Sequence, residues 1–234
     1  MSSTATPVSS ASEIPKITLH WLEKSCSQRI LWLLEELSIL YGIEVHKRDP
    51  KTNLTLPELK TVHPLGKFPV ITVGDHTIAE SAVIVEYLSE HFRTALIPSK
   101  WKDGCKGKLG GDTEEYLHYR YYMHYCEGSL MSLLMVSLVA NSLRAPVPFF
   151  ICPVTSGISA KIRSGYLEPN LVTHFGLTSA DIMMSFPILR PGPAGLAKET
   201  HSKLFAYAEL LKGSESYKRA VDKIVKLEGK YTLL

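Results

Sequence analysis

The chain has 234 residues, 45% of them hydrophobic and 21% charged, with a formal net charge of +3. That length and apolar content bury one substantial core or two small ones, and a charge balance so close to neutral lacks the basic stripe that nucleic-acid binding requires. The four cysteines, Cys26, Cys105, Cys126 and Cys152, stand far apart, with neither the C-x-x-C pairing of a metal or redox site nor the density of a disulfide framework, which fits a reducing compartment and no metal.

Residues 1–15, MSSTATPVSSASEIP, are small and polar, lack the cationic start and apolar centre of a secretory signal, and read as a disordered tail. Ile17 to Leu22 is a short apolar run with β-branched and aromatic members, a strand, and Lys24 to Gln28 breaks it as a turn. Ile30, Leu33, Leu34, Leu37 and Tyr41 then recur at helical spacing with Glu35 and Glu36 on the other side, and Gly42 is expected to stop that helix. Glu44 to Asp49 alternates as a strand, and Pro50 through Pro64 is a polar loop with one short helical turn around Pro57 to Thr61. Pro69–Val73 and Thr77–Ala79 flank Gly74-Asp75-His76 and predict an antiparallel hairpin. Ser81, Ile84, Val85, Leu88 and Phe92 mark a packed helix after it. The order β-α-β, then β-β-α, predicts a compact α/β layer with a parallel first pair, the plan of a thioredoxin-like domain over residues 16–94.

Ala95 to Gly111, rich in glycine and lysine and without periodicity, reads as a linker, so a second domain spans 112–234. From Asp112 to Arg144 the pattern is helical, with Tyr116, Tyr119, Tyr121, Tyr122 and Tyr125 followed by Leu130, Leu133 and Leu134. Thr178 and Asp181 have the spacing of a capping box, which predicts a helix starting at about Ser179. Ser216 to Leu227 reads as a final surface helix. Even the apolar stretch from Leu130 to Ala140 falls short of the ~20 residues a bilayer span needs.

Five fragments in order, HWLEKSCSQRILWLLEEL, HPLGKFPVI, AES, YCEGSL and LTSADIMMSFP, resemble the cytosolic glutathione transferases, in particular the fungal and bacterial yeast-type, serine-type branch. The resemblance spans Ile17 to Leu234. It implies an α/β thioredoxin-like domain that holds glutathione, an all-α second domain that supplies the pocket for a hydrophobic electrophile, a cytoplasmic homodimer, and a role in detoxification or secondary metabolism. Fold alone does not fix the reaction.

The same resemblance implies a site. A thiol like that of cysteine has a pKa near ~8.5 and is mostly protonated at neutral pH, so an activating group is needed. The family places that group in the turn after the first strand, four positions before an arginine, as Ser25 stands before Arg29. A hydroxyl at a helix N-terminus adds its hydrogen bond to the dipole's preference for negative charge. Serine also caps helices for purely structural reasons. Ser27 is an alternative hydroxyl, and Cys26 an alternative that would form a mixed disulfide as in cysteine-type members. Phe68-Pro69 matches the family's cis-proline, whose neighbour pairs with the cysteinyl backbone of glutathione. Glu80 and Ser81 match the γ-glutamyl site and Lys67 the glycyl carboxylate site, chemistry that suits an acid for an ammonium and a cation for a carboxylate. Tyr122, Tyr125 and Ser129 match the wall of the electrophile pocket, although tyrosines at helical spacing also serve as plain core. His63, before Pro64 and without a carboxylate, reads as structural, and Asp181 as a cap.

The chain departs from the family between Leu167-Glu168-Pro169 and Thr178, where a helix end and loop are missing, and at Arg190-Pro191-Gly192-Pro193, which no helix tolerates. The departure implies a shortened second domain with a remodelled pocket. Three functions stay open: glutathione conjugation, a tailoring reaction of natural-product biosynthesis such as isomerisation, elimination or cyclisation with or without glutathione, and a non-catalytic glutathione-binding module.

Overall fold

The computed structural model describes residues 15–52, 54–92, 95–132, 135, 178–189 and 202–231. The expected tail before Pro15, Leu133, Leu134, Cys152, the segment from Leu167 to Leu177 and the proline-rich break after Arg190 lie outside them.

A four-stranded sheet in the order β2-β1-β3-β4 organises the first half. Strand β1 (Ile17–Leu22) pairs in parallel with β2 (Gly42–His46), and antiparallel with β3 (Val70–Val73), which pairs in turn with β4 (His76–Ala79). The parallel pair follows from the crossover helix between its strands, since parallel neighbours need such a connection. Helix α1 (Ser27–Leu37) supplies it. Gly74, at φ +57°, takes the left-handed position of the β3–β4 turn, which glycine adopts without steric cost.

The predicted stop of α1 was misplaced. The helix ends at Leu37 because Ser38 turns left-handed, at φ 52° and ψ 37°, and its N–H returns to Glu35 O at 3.3 Å. Tyr41 therefore lies outside the helix, and Gly42 opens β2 rather than closing α1.

Ile17, Leu19 and Trp21 of β1 are buried with Ile30, Leu31, Leu33 and Leu34 of α1 and with Ile84, Val85 and Leu88 of α2 (Ser81–Phe92). The alternation of a strand sends His20 to the opposite face. A 3₁₀ turn at Pro57–Thr61 lies in the loop between β2 and β3.

The second half is helical as far as it is described. Thr113 caps α3 (Glu114–Tyr125), accepting the Tyr116 N–H at 3.2 Å, and a π-helical turn (Cys126–Met131) continues the helix with a wider winding. Helix α4 (Ser179–Leu189) starts where the capping pattern predicts. Asp181 Oδ2 accepts the Thr178 N–H at 2.5 Å and the Thr178 hydroxyl at 2.8 Å, and the Tyr207 hydroxyl donates to Asp181 Oδ1. Helices α5 (Ser202–Gly213) and α6 (Glu215–Glu228) follow.

Helix α6 is more than the surface helix its alternation predicts. Ser216, Tyr217, Ala220 and Ile224 are buried, and the helix packs along α1. Trp32 Nε1 donates to Ser216 Oγ at 2.9 Å, and Trp21 Nε1 donates to Glu228 Oε1 at 3.1 Å. Met123, Cys126, Ile182, Met183 and Leu211 join the core of the first half in one continuous cluster.

Candidate functional site

The turn between β1 and α1 carries Ser25, Cys26 and Ser27. The Ser25 hydroxyl donates to Leu22 O at 2.6 Å, lies 2.9 Å from Ser27 Oγ, and accepts the Ser27 N–H at 3.1 Å. It thus caps the first turn of α1, yet it stays partly exposed, whereas Ser27 has no exposure at all. Lys24, at φ 51°, reverses the chain just before it. Arg48, in the loop after β2, holds the turn from behind, donating to Glu23 O at 3.2 Å and to Lys24 O at 3.4 Å.

The strand register puts Pro69 and Glu80, which flank the Val70–Ala79 pair, at the sheet end where β1 leads into this turn. The Phe68–Pro69 bond is cis, Pro69 is buried and Lys67 is exposed. Glu80 sits exposed at φ 72°, and Ser81 is buried as it opens α2. These are the chain segments that the resemblance assigns to glutathione. His63 serves the loop before them: its Nδ1 accepts the Leu65 N–H at 3.4 Å and its carbonyl the Gly66 N–H at 2.8 Å.

Tyr122 and Tyr125 are half-buried, pack against the core cluster and form an aromatic group with Tyr121, whose ring stacks on that of Tyr125 at 5.5 Å. Burial raises both hydroxyls above the usual tyrosine range. Ser129 lies exposed in the π-helical turn.

Arg29 enters the sequence reading only as a spacing marker, and it proves to be the joint between the two halves. Its side chain is fully buried and pairs with Glu127 of the π-helical turn. It also reaches Cys26 Sγ at 3.6 Å, Met183 Sδ at 3.8 Å and Cys126 Sγ at 3.9 Å, and its guanidinium lies 5.3 Å from the centre of the Phe186 ring. Burial disfavours the arginine's charge, but Cys26, Cys126 and Glu127 outweigh that cost and hold its pKa above the ordinary value. The same burial pushes the Cys126 thiol up to about 12. YCEGSL contained the clue, an acid one residue after a buried cysteine, but only the fold brings it to Arg29.

The sheet with its cis-proline hairpin, the helix opening at Ser81 and the helical second half together make the glutathione transferase fold. A family profile described as "Glutathione S-transferase, N-terminal domain" matches residues 25–91. Among curated proteins, Glutathione S-transferase 1 of Saccharomyces cerevisiae is 28% identical over 90% of this chain and 96% of its own length, and Glutathione S-transferase 3 of Schizosaccharomyces pombe is 28% identical over 89% and 88%. A crystal structure of a glutathione S-transferase from Actinobacillus pleuropneumoniae superposes with a TM-score of 0.62 at 29% identity, covering 88% of this chain and 92% of that one. A glutathione transferase of Phanerochaete chrysosporium, crystallised with oxidized glutathione, has a TM-score of 0.64 at 16% identity, a likeness of fold.

Proposed function

We propose that the chain is a glutathione transferase in which Ser25 holds the glutathione thiol as a thiolate for attack on a hydrophobic electrophile. The observation that carries this reading is the contrast between two neighbouring hydroxyls: Ser25 is partly exposed at the mouth of α1, and Ser27 is sealed. A sulfur seated against that mouth takes the Ser25 proton's hydrogen bond in place of Leu22 O, while the positive end of the helix dipole favours its charge. Glu80 and Ser81 receive the γ-glutamyl end, the backbone at Phe68 and Pro69 the cysteinyl part, and Lys67 the glycyl carboxylate. Tyr122, Tyr125 and Ser129 line the electrophile's side. Homodimer assembly, a cytoplasmic location, and the remodelled pocket with its place in natural-product chemistry belong to the same proposal.

A hydrogen bond to a charged group is worth about 1.5–3 kcal/mol. Ser25→Ala is therefore expected to lower kcat roughly 10- to 100-fold toward a chromogenic electrophile, with little change in the KM for glutathione. Unchanged kcat with a raised KM would show that Ser25 only helps to hold the tripeptide and would overturn its assignment. Tight glutathione binding with no conjugate from a broad panel of electrophiles would favour the binding-module reading instead.

A further inference from the structure

On the face of the sheet away from α1, three side chains with metal-binding atoms converge. His20 of β1 stands beside Glu44 in the parallel register, and His46 follows two residues along β2 on the same face. His20 Nδ1 lies 3.1 Å from His46 Nε2, and the two Glu44 oxygens lie 3.6 Å from His20 Nδ1 and from His46 Nε2 respectively. Ligands about 2.0–2.1 Å from a tetrahedral zinc ion stand roughly 3.3 Å from one another. The 3.1 Å imidazole pair and the 3.6 Å approach of a separate Glu44 oxygen to each imidazole lie near that spacing, and one ligand atom from each residue falls within 4.8 Å of the others. We propose that His20, Glu44 and His46 form a binding site for a zinc-class divalent cation.

Further features of the place support a site. The His20 side chain is 7% exposed and that of His46 12%, so the imidazoles are held in position, while Glu44, at 58%, leaves a path from solvent. The His46 ring also packs against Phe68, with centroids 5.3 Å apart. Two imidazoles and one carboxylate are a donor set that suits zinc, and three protein ligands leave the fourth position to water. A cation held there ties β1 to its edge strand. One feature limits the affinity: a metal on Nδ1 puts the His20 proton on Nε2, which is buried and has no partner among the described residues, a cost to binding. None of the three ligands is assigned to glutathione, although Phe68, which packs on His46, is, so zinc uptake tests this site separately from the glutathione reading.

The test is zinc titration of the untagged, chelator-treated full chain by calorimetry, together with cobalt(II) as a visible-absorbing substitute. The expected result is one equivalent bound with a dissociation constant in the micromolar range or below, the intense visible bands of low-coordinate cobalt, and a higher melting temperature with zinc. Glu44→Gln and His46→Gln should each weaken binding at least about 10-fold, since even changes to groups behind a ligand cost that much. Glu44 is exposed, so its variant tests the site even if His46→Gln fails to fold. No uptake by the wild type at low micromolar zinc, or uptake that Glu44→Gln leaves intact and Cys26→Ser or Cys105→Ser removes, would overturn the proposal.

Discussion

Helix α1 carries an ionic joint at each end, and the two are built differently. At its N-terminal end Arg29 is sealed among sulfurs and an aromatic ring, with Glu127 as its partner. At its C-terminal end Glu35 is the buried member, 8% exposed, and its partners come from half-exposed positions on α6. Lys223 Nζ reaches Glu35 Oε1 at 2.5 Å, Arg219 Nε reaches Oε2 at 3.1 Å and Arg219 Nη2 reaches the backbone carbonyl at 2.7 Å, while the Tyr41 hydroxyl donates to the same carboxylate. In the first joint the buried guanidinium has no water to fall back on, although Glu127, 42% exposed, can be solvated without it. The second shares one carboxylate among several donors, and solvent stands ready to replace any of them. Geometry is enforced at the proposed catalytic end, and redundancy is kept at the other.

The sharpest way to break that contrast is Arg29→Ala. Truncating a fully buried long side chain costs about 2–5 kcal/mol through lost contacts and the cavity left between α1 and α4, while Glu127, 42% exposed, is left to solvent. Urea unfolding followed by circular dichroism should show a loss of that size, and Arg29→Lys should rescue little, because a single ammonium cannot reach the acceptors a guanidinium fork spans. A loss under 1 kcal/mol would mean the two ends are alike.

Glu35→Gln should cost less, about 1–2 kcal/mol, because Arg219 and Lys223 are screened by solvent. Its pH dependence is the informative part. Burial works to raise the Glu35 carboxyl, but the hydrogen bonds from Lys223 and Tyr41, with the charges of the cations, outweigh it and hold the group below its ordinary 4.5. A carboxylate whose folded pKa is depressed stabilises the fold fully above the unfolded value and loses that contribution as pH falls through the folded one. The wild type's advantage over Glu35→Gln should therefore persist at neutral pH and shrink below about pH 4.5, read from unfolding curves across that range. An advantage that stays constant down to pH 3 would remove the carboxylate from the account.

The smallest effect is expected from Tyr41→Phe, about 1 kcal/mol or less, since Lys223 and Arg219 still satisfy the carboxylate. Parallel thermal melts of the two proteins measure it. A loss larger than that of Glu35→Gln would show that the tyrosine anchors the joint.

How much of this was readable beforehand depended on sequence distance. The strand of Ile17–Leu22, the hairpin around Gly74 and the start of α4 rest on periodicity and turn chemistry within a few residues, and all were found. Gly42 misled because the left-handed cap fell on Ser38, a residue with no strong preference for it. The docking face of α6 was hidden because Ser216 and Arg219 acquire meaning only against Trp32 and Glu35, more than 180 residues away. The same holds for Arg29 with Glu127, and for His20 with His46, whose meeting is a product of the β1–β2 register. Of the candidate site, the turn and hairpin residues were legible as motifs, while the residues that set their positions were not.

Arg48 gives the edge strand a mechanical role. Because its guanidinium grips the carbonyls of Glu23 and Lys24, any small displacement of the segment leaving β2 is handed on to the loop that presents Ser25. One edge strand of the sheet is thereby tied, through a single side chain, to the turn that carries the hydroxyl on which the proposed chemistry depends.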